Sequence, residues 1–215
     1  MNALRDSLAP IRNEAAVSYA RLAAIYDEEV TRMQPARGRA IEGLSLAAGM
    51  RVLDVGCGTG LSLLALSSAV GPTGKVTGFE LSEAMLARAA SVVKEHQLTN
   101  VELHNVAAEE FTSAERFDAA LFCYTHDIQQ SELALNAIFS TLKPGARVAA
   151  TGTKILPPPM GWLLNWWLLK RQNGYSSNPD GLDRPWRLLP DYVEPDFTVK
   201  PYYAGLGYLF RGRAR

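Results

Sequence analysis

The chain has no excess of either charge, and this excludes a class of partner. Its 215 residues include 22 basic and 22 acidic side chains, so the formal net charge is zero. Binding to nucleic acid depends on neutralising phosphates with an excess of positive charge. The composition therefore predicts no nucleic-acid partner.

Cysteines are few and long hydrophobic runs are missing. The two cysteines are Cys57, inside a glycine-rich stretch that disfavours a structural disulfide, and Cys123; this usage fits a reducing cytoplasm. The first residues lack the apolar centre of a signal peptide. The longest apolar cluster, Met160–Leu169, is about half of the roughly 20 residues that a membrane span needs. We therefore expect a soluble cytoplasmic protein, a monomer or homodimer. Since no His/Cys/carboxylate set has zinc-binding spacing, we expect no metal.

The most informative stretch is Arg51–Leu61, which reads RVLDVGCGTGL. An apolar run interrupted by Asp54 leads into three alternate glycines, Gly56, Gly58 and Gly60. Apolar or small residues then recur at helical spacing: Leu61, Leu64, Ala65, Ser68 and Ala69. A buried strand, a glycine-rich turn and a helix form the opening of a nucleotide-binding βαβ unit.

The spacing of the glycines distinguishes between ligands. A dinucleotide fingerprint reads G-x-G-x-x-G, whereas here Leu61 stands where the third glycine would be. Asp54 lies two residues before the first glycine. A carboxylate there gives nothing to an anionic pyrophosphate but would attract a cationic ligand.

A second acid follows at ribose-binding spacing. Lys75–Glu80 is predicted to be the second strand, and Glu80 lies twenty residues beyond Gly60. An acid at the end of this strand can accept hydrogen bonds from both ribose hydroxyls. Ser82 is predicted to cap the next helix.

These residues resemble a known family. Asp-x-Gly-x-Gly-x-Gly is similar to motif I of the class I S-adenosylmethionine (SAM) methyltransferases, and the string from Glu80 to Met85 is similar to the motif that follows it. In that family the turn holds the amino-acid end of SAM, which carries an ammonium and a sulfonium. The resemblance is closest to the ubiquinone/menaquinone type and to small bacterial phosphatidylethanolamine N-methyltransferases. It implies SAM as cofactor, bound by Tyr26, Asp54, Gly56, Cys57, Gly58, Gly60, Glu80, Leu81, Met85, Ala107, Ala108, Glu109 and Tyr124.

The resemblance also implies a fold. We expect a single α/β domain of the Rossmann-like class I methyltransferase type, with a seven-stranded, mostly parallel sheet ordered 3-2-1-4-5-7-6. Residues 1–48 would form a helical cap, 49–152 the SAM-binding core, 153–196 a substrate-side insertion and 197–215 the closing strands. In the core, Leu142–Gly145 resembles the family's turn before strand five, Ala146–Gly152. Thr198–Tyr203 and Leu206–Arg211 are predicted to form the closing antiparallel pair.

The helical cap carries two candidate site residues. Helical spacing predicts one helix up to Val30, a break at Gln34-Pro35 and a second helix over Arg37–Leu46. The segment from Tyr19 to Asp27 resembles the helix that closes over SAM in small methyltransferases. Tyr19 is then assigned to the substrate and Tyr26 to SAM; the alternative is that both only pack on the sheet.

The adenine site departs from the family pattern. Asn100–Asn105 is predicted to be the third strand, and Ala107 stands where the family often places an acid that binds the adenine amino group. Backbone amides near Val106–Ala108, or Glu109, are the alternatives.

The residues after the fourth strand are candidates for catalysis. Arg116–Tyr124 resembles the family's fourth strand, and strands one and four flank the switch in strand order where ligands bind. Tyr124, Thr125, His126 and Asp127 would thus lie beside the reactive methyl. His126 is a candidate general base, with Asp127 orienting it or attracting a cationic amine. The alternative is a structural His126.

The segment over residues 155–195 contains all four tryptophans. Aromatic walls suit a flat ring or an alkyl chain and exclude water. We expect Trp162, Trp166, Tyr175 and Trp186 to line the acceptor site together with Tyr19 and Thr125. A satellite core, a dimer contact or a peripheral membrane contact over 160–170 are the alternatives.

The sequence thus predicts a methyltransferase that acts on an O or N atom of a small apolar or aromatic metabolite. N-methylation of a lipid amine is the second hypothesis within this class. A SAM-binding protein without turnover is a third, and a nicotinamide-dependent reductase is disfavoured by the glycine spacing.

Overall fold

The computed structural model describes residues 34–156, 161, 165 and 181–215. Five α-helices are described: α1 (Gln34–Gly43), α2 (Leu63–Val70), α3 (Glu83–Glu95), α4 (His126–Gln129) and α5 (Glu132–Phe139). Seven strands form one sheet: β1 (Arg51–Val55), β2 (Lys75–Glu80), β3 (Val101–Asn105), β4 (Phe117–Cys123), β5 (Leu142–Thr153), β6 (Thr198–Tyr202) and β7 (Gly207–Arg213). None of the helices in these ranges is long and apolar enough to cross a membrane.

The strand order is β3-β2-β1-β4-β5-β7-β6, which confirms the expected sheet. Strands β1 to β5 pair in parallel, whereas β7 runs antiparallel to both β5 and β6. The strand order reverses beside β1, so β1 and β4 are neighbours and β2 lies on the other side of β1. Ligands in such sheets bind beyond the carboxyl ends of the strands at this point.

Each face of the sheet buries its own apolar core, as a doubly wound sheet requires. Alternate residues of β1 point to opposite faces: Leu53 and Val55 join the core beneath α5, and Val52 joins the core beneath α1, α2 and α3. By the same alternation, Asp54 faces α1, and so does Cys123 at the end of β4. Two polar side chains are thereby placed under helix α1.

Two predicted boundaries are wrong for a physical reason. Helix α1 begins at Gln34 rather than after the Gln34-Pro35 pair, because proline fits the first turn of a helix, where its missing N–H would have no partner. The predicted turn at Leu142–Gly145 lies inside the bounds of β5, whose register with β4 shifts between Phe117 and Ala119. This irregularity lets the strand continue through the turn residues.

Five predicted site residues lie outside the described residues: Tyr19, Tyr26, Trp162, Trp166 and Tyr175. Their roles stay predictions, as do the bounds of the four segments within the domain.

Candidate functional site

The glycine turn, residues 56–60, lies at the carboxyl end of β1 and contacts the segment after β4. A Cβ atom built on Gly56 would lie 2.9 Å from Thr125 Cγ2 and 3.0 Å from Ile128 Cδ1. This close approach requires glycine, and it brings the ends of β1 and β4 together at the switch in strand order.

Glu80 is fixed at one side of the glycine turn by backbone donors. Gly58 N donates to its Oε2 at 3.1 Å, and Ser82 N donates to its Oε1 at 2.9 Å. Burial raises the pKa of Glu80 above its ordinary value, and the backbone hydrogen bonds offset only part of this rise. Each carboxylate oxygen keeps acceptor capacity for a ligand hydroxyl. Asn105 Nδ2 secures this corner by donating to the carbonyls of Glu80 and Leu81, at 2.9 and 3.0 Å.

Asp54 is the second acid, and it is almost completely enclosed. Asp54 is 1% exposed, and its Oδ2 has no hydrogen-bond partner among the described residues. The pKa of this carboxyl is raised to about 7, because burial raises it more than the Arg37 guanidinium lowers it, and the charge of Glu80 also raises it. Buried polar atoms are normally hydrogen-bonded. The free oxygen therefore suits a ligand that brings a donor, and a cationic donor most of all.

The described residues leave space next to the glycine turn. Gly58 has a φ of +57°, and a Cβ atom built there would meet no atom of these residues within 4 Å. A ligand can therefore lie against the backbone of Gly58, beside Glu80 and close to the end of β1 that carries Asp54. An anionic pyrophosphate would be repelled by both acids, whereas the ammonium and sulfonium of SAM would be attracted and its ribose hydroxyls could donate to Glu80. The residues present fit SAM.

Three further residues assigned to the cofactor support the turn. Cys57 N donates to Phe79 O at 2.9 Å, and burial raises the pKa of its thiol well above the ordinary value, so the thiol stays protonated. Met85 is buried and its N–H donates to Ser82 Oγ at 3.5 Å, which confirms the predicted helix cap. Leu81 is 38% exposed at the rim of the turn.

The predicted adenine region follows β3. Ala107 and Ala108 are buried at the start of a short 3₁₀ turn over Ala108–Glu110. Glu109 Oε1 accepts a hydrogen bond from Ser131 Oγ at 3.3 Å, and Ser131 in turn caps helix α5. The side chain of Glu109 is thus anchored between the turn and α5.

The segment after β4 turns sharply into helix α4. Tyr124 has a φ of +59°, which is uncommon for a residue other than glycine, and its N–H donates to Thr151 O at 2.9 Å. Thr125 is buried, whereas His126 and Asp127, the first residues of α4, are half-buried. These two side chains therefore lie at the edge of the site rather than within the core.

Trp186 packs on the core beside this segment. Its ring centroid lies 4.8 Å from that of Tyr208, whose hydroxyl donates to Gln129 Oε1 at 2.8 Å. Tyr208 and Gln129 are fully buried and tie α4 to β7. Trp186 is half-buried, so its assigned contact with an acceptor stays a prediction.

Sequence reasoning missed Arg37, which the structure buries near Asp54. Arg37 is 5% exposed, and its neighbours on the same turn of α1, Ala36 and Ala40, are buried as well. An arginine between two alanines at helical spacing was the available signal. It was weak because arginine is usually exposed.

A family model described as a methyltransferase domain matches residues 46–158, just over half of the chain. The chain belongs to the class I SAM-dependent methyltransferases. The match includes both acids, the glycine turn and the segment after β4, and SAM is the cofactor of this family.

Individual relatives support the family and the fold. A demethylmenaquinone methyltransferase of Lactococcus lactis is 35% identical over 120 residues, which are 54% of this chain and 47% of the relative. The matched region thus spans about half the length of this curated relative. A SAM-dependent methyltransferase from Aquifex aeolicus shares 21% identity at a TM-score of 0.58, covering 83% of this chain and 89% of that one. The N-methyltransferase NodS from Bradyrhizobium japonicum, in complex with S-adenosylhomocysteine, shares 16% identity at a TM-score of 0.58, covering 84% and 86%. At these identities the two structures show the fold alone.

Proposed function

We propose that this protein transfers a methyl group from SAM to an O or N atom of a small apolar or aromatic metabolite. The observation that carries the proposal is the pair of acids at the glycine turn: Glu80 accepts a hydrogen bond from Gly58 N beside backbone that no described residue covers, and Asp54 is buried at the end of β1 with one oxygen that no described residue binds. This arrangement suits a ligand that joins a cationic amino-acid end to a ribose.

When bound, SAM supplies an electrophilic methyl group on a sulfonium. Asp54 attracts the cationic end, and Glu80 accepts hydrogen bonds from the ribose. Ala107, Ala108 and Glu109 would hold the adenine. The protein then has to align the acceptor and keep water out, and such positioning can supply most of the rate.

The acceptor enters next to the residues that follow β4. Thr125 contacts the glycine turn, and His126 and Asp127 lie at the rim. His126 takes a proton from a hydroxyl or ammonium acceptor, and Asp127 orients it. Trp186 contributes an apolar wall to the acceptor site in this proposal.

A quinone ring is a second candidate acceptor, because the Lactococcus relative is a demethylmenaquinone methyltransferase. An aromatic wall would accept such a ring as readily as a phenol. A lipid amine is a further alternative within the class, and SAM binding without turnover is the alternative outside it.

Calorimetric titration with SAM, S-adenosylhomocysteine and NADH tests the cofactor. We expect micromolar binding of the first two and none of NADH, because the two acids disfavour a pyrophosphate. Protein that binds SAM is then screened with radiolabelled SAM against phenols, amines, a short-chain demethylmenaquinone and phosphatidylethanolamine vesicles. Failure to bind SAM would refute the proposal, and binding without transfer to any acceptor would favour a binding protein.

His126→Ala is expected to lower kcat for the acceptor found in this screen by about 100-fold, the lower range for loss of a general base. The Kd for SAM should stay within about twofold, because His126 lies outside the glycine turn. His104→Ala is the control: His104 is an exposed histidine on β3, 3.1 Å from Glu102, and its loss should leave kcat unchanged. An equal loss of kcat and SAM affinity in His126→Ala would make the residue structural.

A further inference from the structure

Three polar side chains meet beneath the glycine turn, on the face of the sheet that carries helix α1. Asp54 and Cys123 point to this face from neighbouring strands, and Arg37 reaches them from α1. The Arg37 guanidinium acts electrostatically on both acidic groups and lowers the pKa of Asp54 and of Cys123. This group of residues connects the first described helix with the cofactor turn.

The opposite charges in this group are enclosed but incompletely paired. Asp54 is 1% exposed and Arg37 is 5% exposed. Among the described residues, Arg37 Nε and Nη1 have no hydrogen-bond partner, and neither has Asp54 Oδ2. The two side chains therefore interact through their charges rather than through a hydrogen bond at these atoms.

Among the charged and titratable groups around Asp54, Arg37 differs from the others because it favours ionisation of the carboxyl group. Glu80 on β2 opposes ionisation of Asp54, and the thiols of Cys57 and Cys123 stay protonated because burial raises the pKa of both, that of Cys123 to about 12. Arg37 is the one cation that favours the ionised form of Asp54 within residues 34–156 and 181–215. Burial alone would leave this carboxyl neutral at physiological pH.

We propose that Arg37 is a positioning residue for the cofactor site: from helix α1 it acts as the counter-ion that keeps Asp54 charged, so that the carboxylate can receive the cationic end of SAM. The proposal rests on the proposed function, since it deepens the role of Asp54. It also predicts that SAM affinity depends on helix α1, which lies outside the glycine turn in sequence.

The test is the pH dependence of SAM affinity in Arg37→Met. Without the guanidinium, the pKa of Asp54 should rise above its value of about 7. A shift of about 1 to 2 pKa units, within the range for a nearby opposite charge, would make the variant bind SAM about 10- to 100-fold more weakly than wild type at pH 6 and about twofold more weakly, or less, at pH 9. Because the ratio of the two affinities is measured at each pH, titration of SAM itself cancels.

Three controls separate this role from others. Arg37→Lys keeps a cation and should restore most of the affinity at pH 6. Arg39→Met removes an exposed arginine of the same helix, whose guanidinium lies 5.1 Å from the Tyr202 ring, and should change nothing. Arg37→Met added to Asp54→Asn should cause no further loss, because the two residues act through one charge.

Other results would overturn the proposal. An equal loss at every pH, or a loss that adds to that of Asp54→Asn, would mean that Arg37 binds SAM directly. A lower melting temperature with unchanged affinity would make Arg37 purely structural. If Arg37→Met does not fold, Arg37→Gln, which retains a donor without the charge, takes its place in the same comparison. Failure of wild type to bind SAM would refute the proposed function instead.

Discussion

Glu80→Ala is expected to weaken SAM binding by at least about 100-fold, the largest effect we predict for a single side chain. In the proposed complex the carboxylate accepts hydrogen bonds from two ribose hydroxyls. A hydrogen bond to a charged group contributes about 1.5–3 kcal/mol to the binding free energy. The substitution also releases Gly58 N and Ser82 N, which the carboxylate now holds at 3.1 and 2.9 Å. The glycine turn thus loses both its ligand contact and its anchor.

Titration calorimetry with SAM and S-adenosylhomocysteine measures this loss, and melting curves verify that the variant is folded. Glu80→Gln keeps one acceptor oxygen without the charge and should fall between wild type and Glu80→Ala. Glu102→Ala is the matched control, because Glu102 is an exposed acid on the next strand that pairs with Lys75 at 2.7 Å and with His104 at 3.1 Å, away from the glycine turn. Comparable SAM affinity in Glu80→Ala and Glu102→Ala would contradict the ribose assignment.

The strands of the sheet could be predicted because each has a recognisable local sequence pattern. Lys75–Glu80 has the predicted bounds, and the predicted β3, β4, β6 and β7 differ from the observed strands by one or two residues at an end. Buried strands need runs of apolar residues, and turn residues mark where they end. The order of the strands came from the family resemblance, because a single sequence contains no information on which strands pair.

Helix α2 shows where local patterns are insufficient. The stripe that predicted it, from Leu61 through Leu64 to Ala69, lies mainly on the exposed side, and Leu64 is 44% exposed. The buried face is Leu63, Leu66, Ser67 and Val70. The sequence LLALSSAV has apolar or small residues at helical spacing on both sides, so the period indicates a helix without indicating which face packs on the sheet.

The candidate site likewise contains some residues that local sequence patterns predict and others that they do not. Asp54, the glycine turn and Glu80 could be predicted because their spacing is fixed by a strand–turn–helix unit. Arg37 could not, because its electrostatic effect on Asp54 acts between a helix and a strand that are separate in sequence, and no local pattern records it. The positive φ of Tyr124 likewise results from the connection between β4 and α4, since tyrosine itself has no preference for that conformation.

Two glycines of the turn should respond in opposite ways to the same substitution. Gly58→Ala places a methyl group in open space, so the free protein should lose only about 1–2 kcal/mol of stability from the left-handed backbone conformation at φ +57°. Gly60→Ala, at φ +88°, would bring its Cβ to 2.9 Å from Leu63 Cδ1 and 3.0 Å from the Ala89 backbone. We expect a loss of about 2–4 kcal/mol there, since strain and overpacking add.

For SAM affinity the order of the two variants should reverse, with the larger loss in Gly58→Ala. If the cofactor lies against Gly58, the methyl group of Gly58→Ala occupies its place and the affinity should fall by at least about tenfold, equivalent to about 1.4 kcal/mol. Gly145→Ala is the matched control: Gly145 also has a positive φ, +75°, and open space around its Cβ, but it lies in the irregular part of β5. It should cost the same stability and leave SAM affinity unchanged. Denaturant unfolding and calorimetry on the three variants measure both quantities. Equal SAM affinities in Gly58→Ala and Gly145→Ala would mean that the cofactor does not lie over the turn, because the two substitutions differ only in what occupies the space above them.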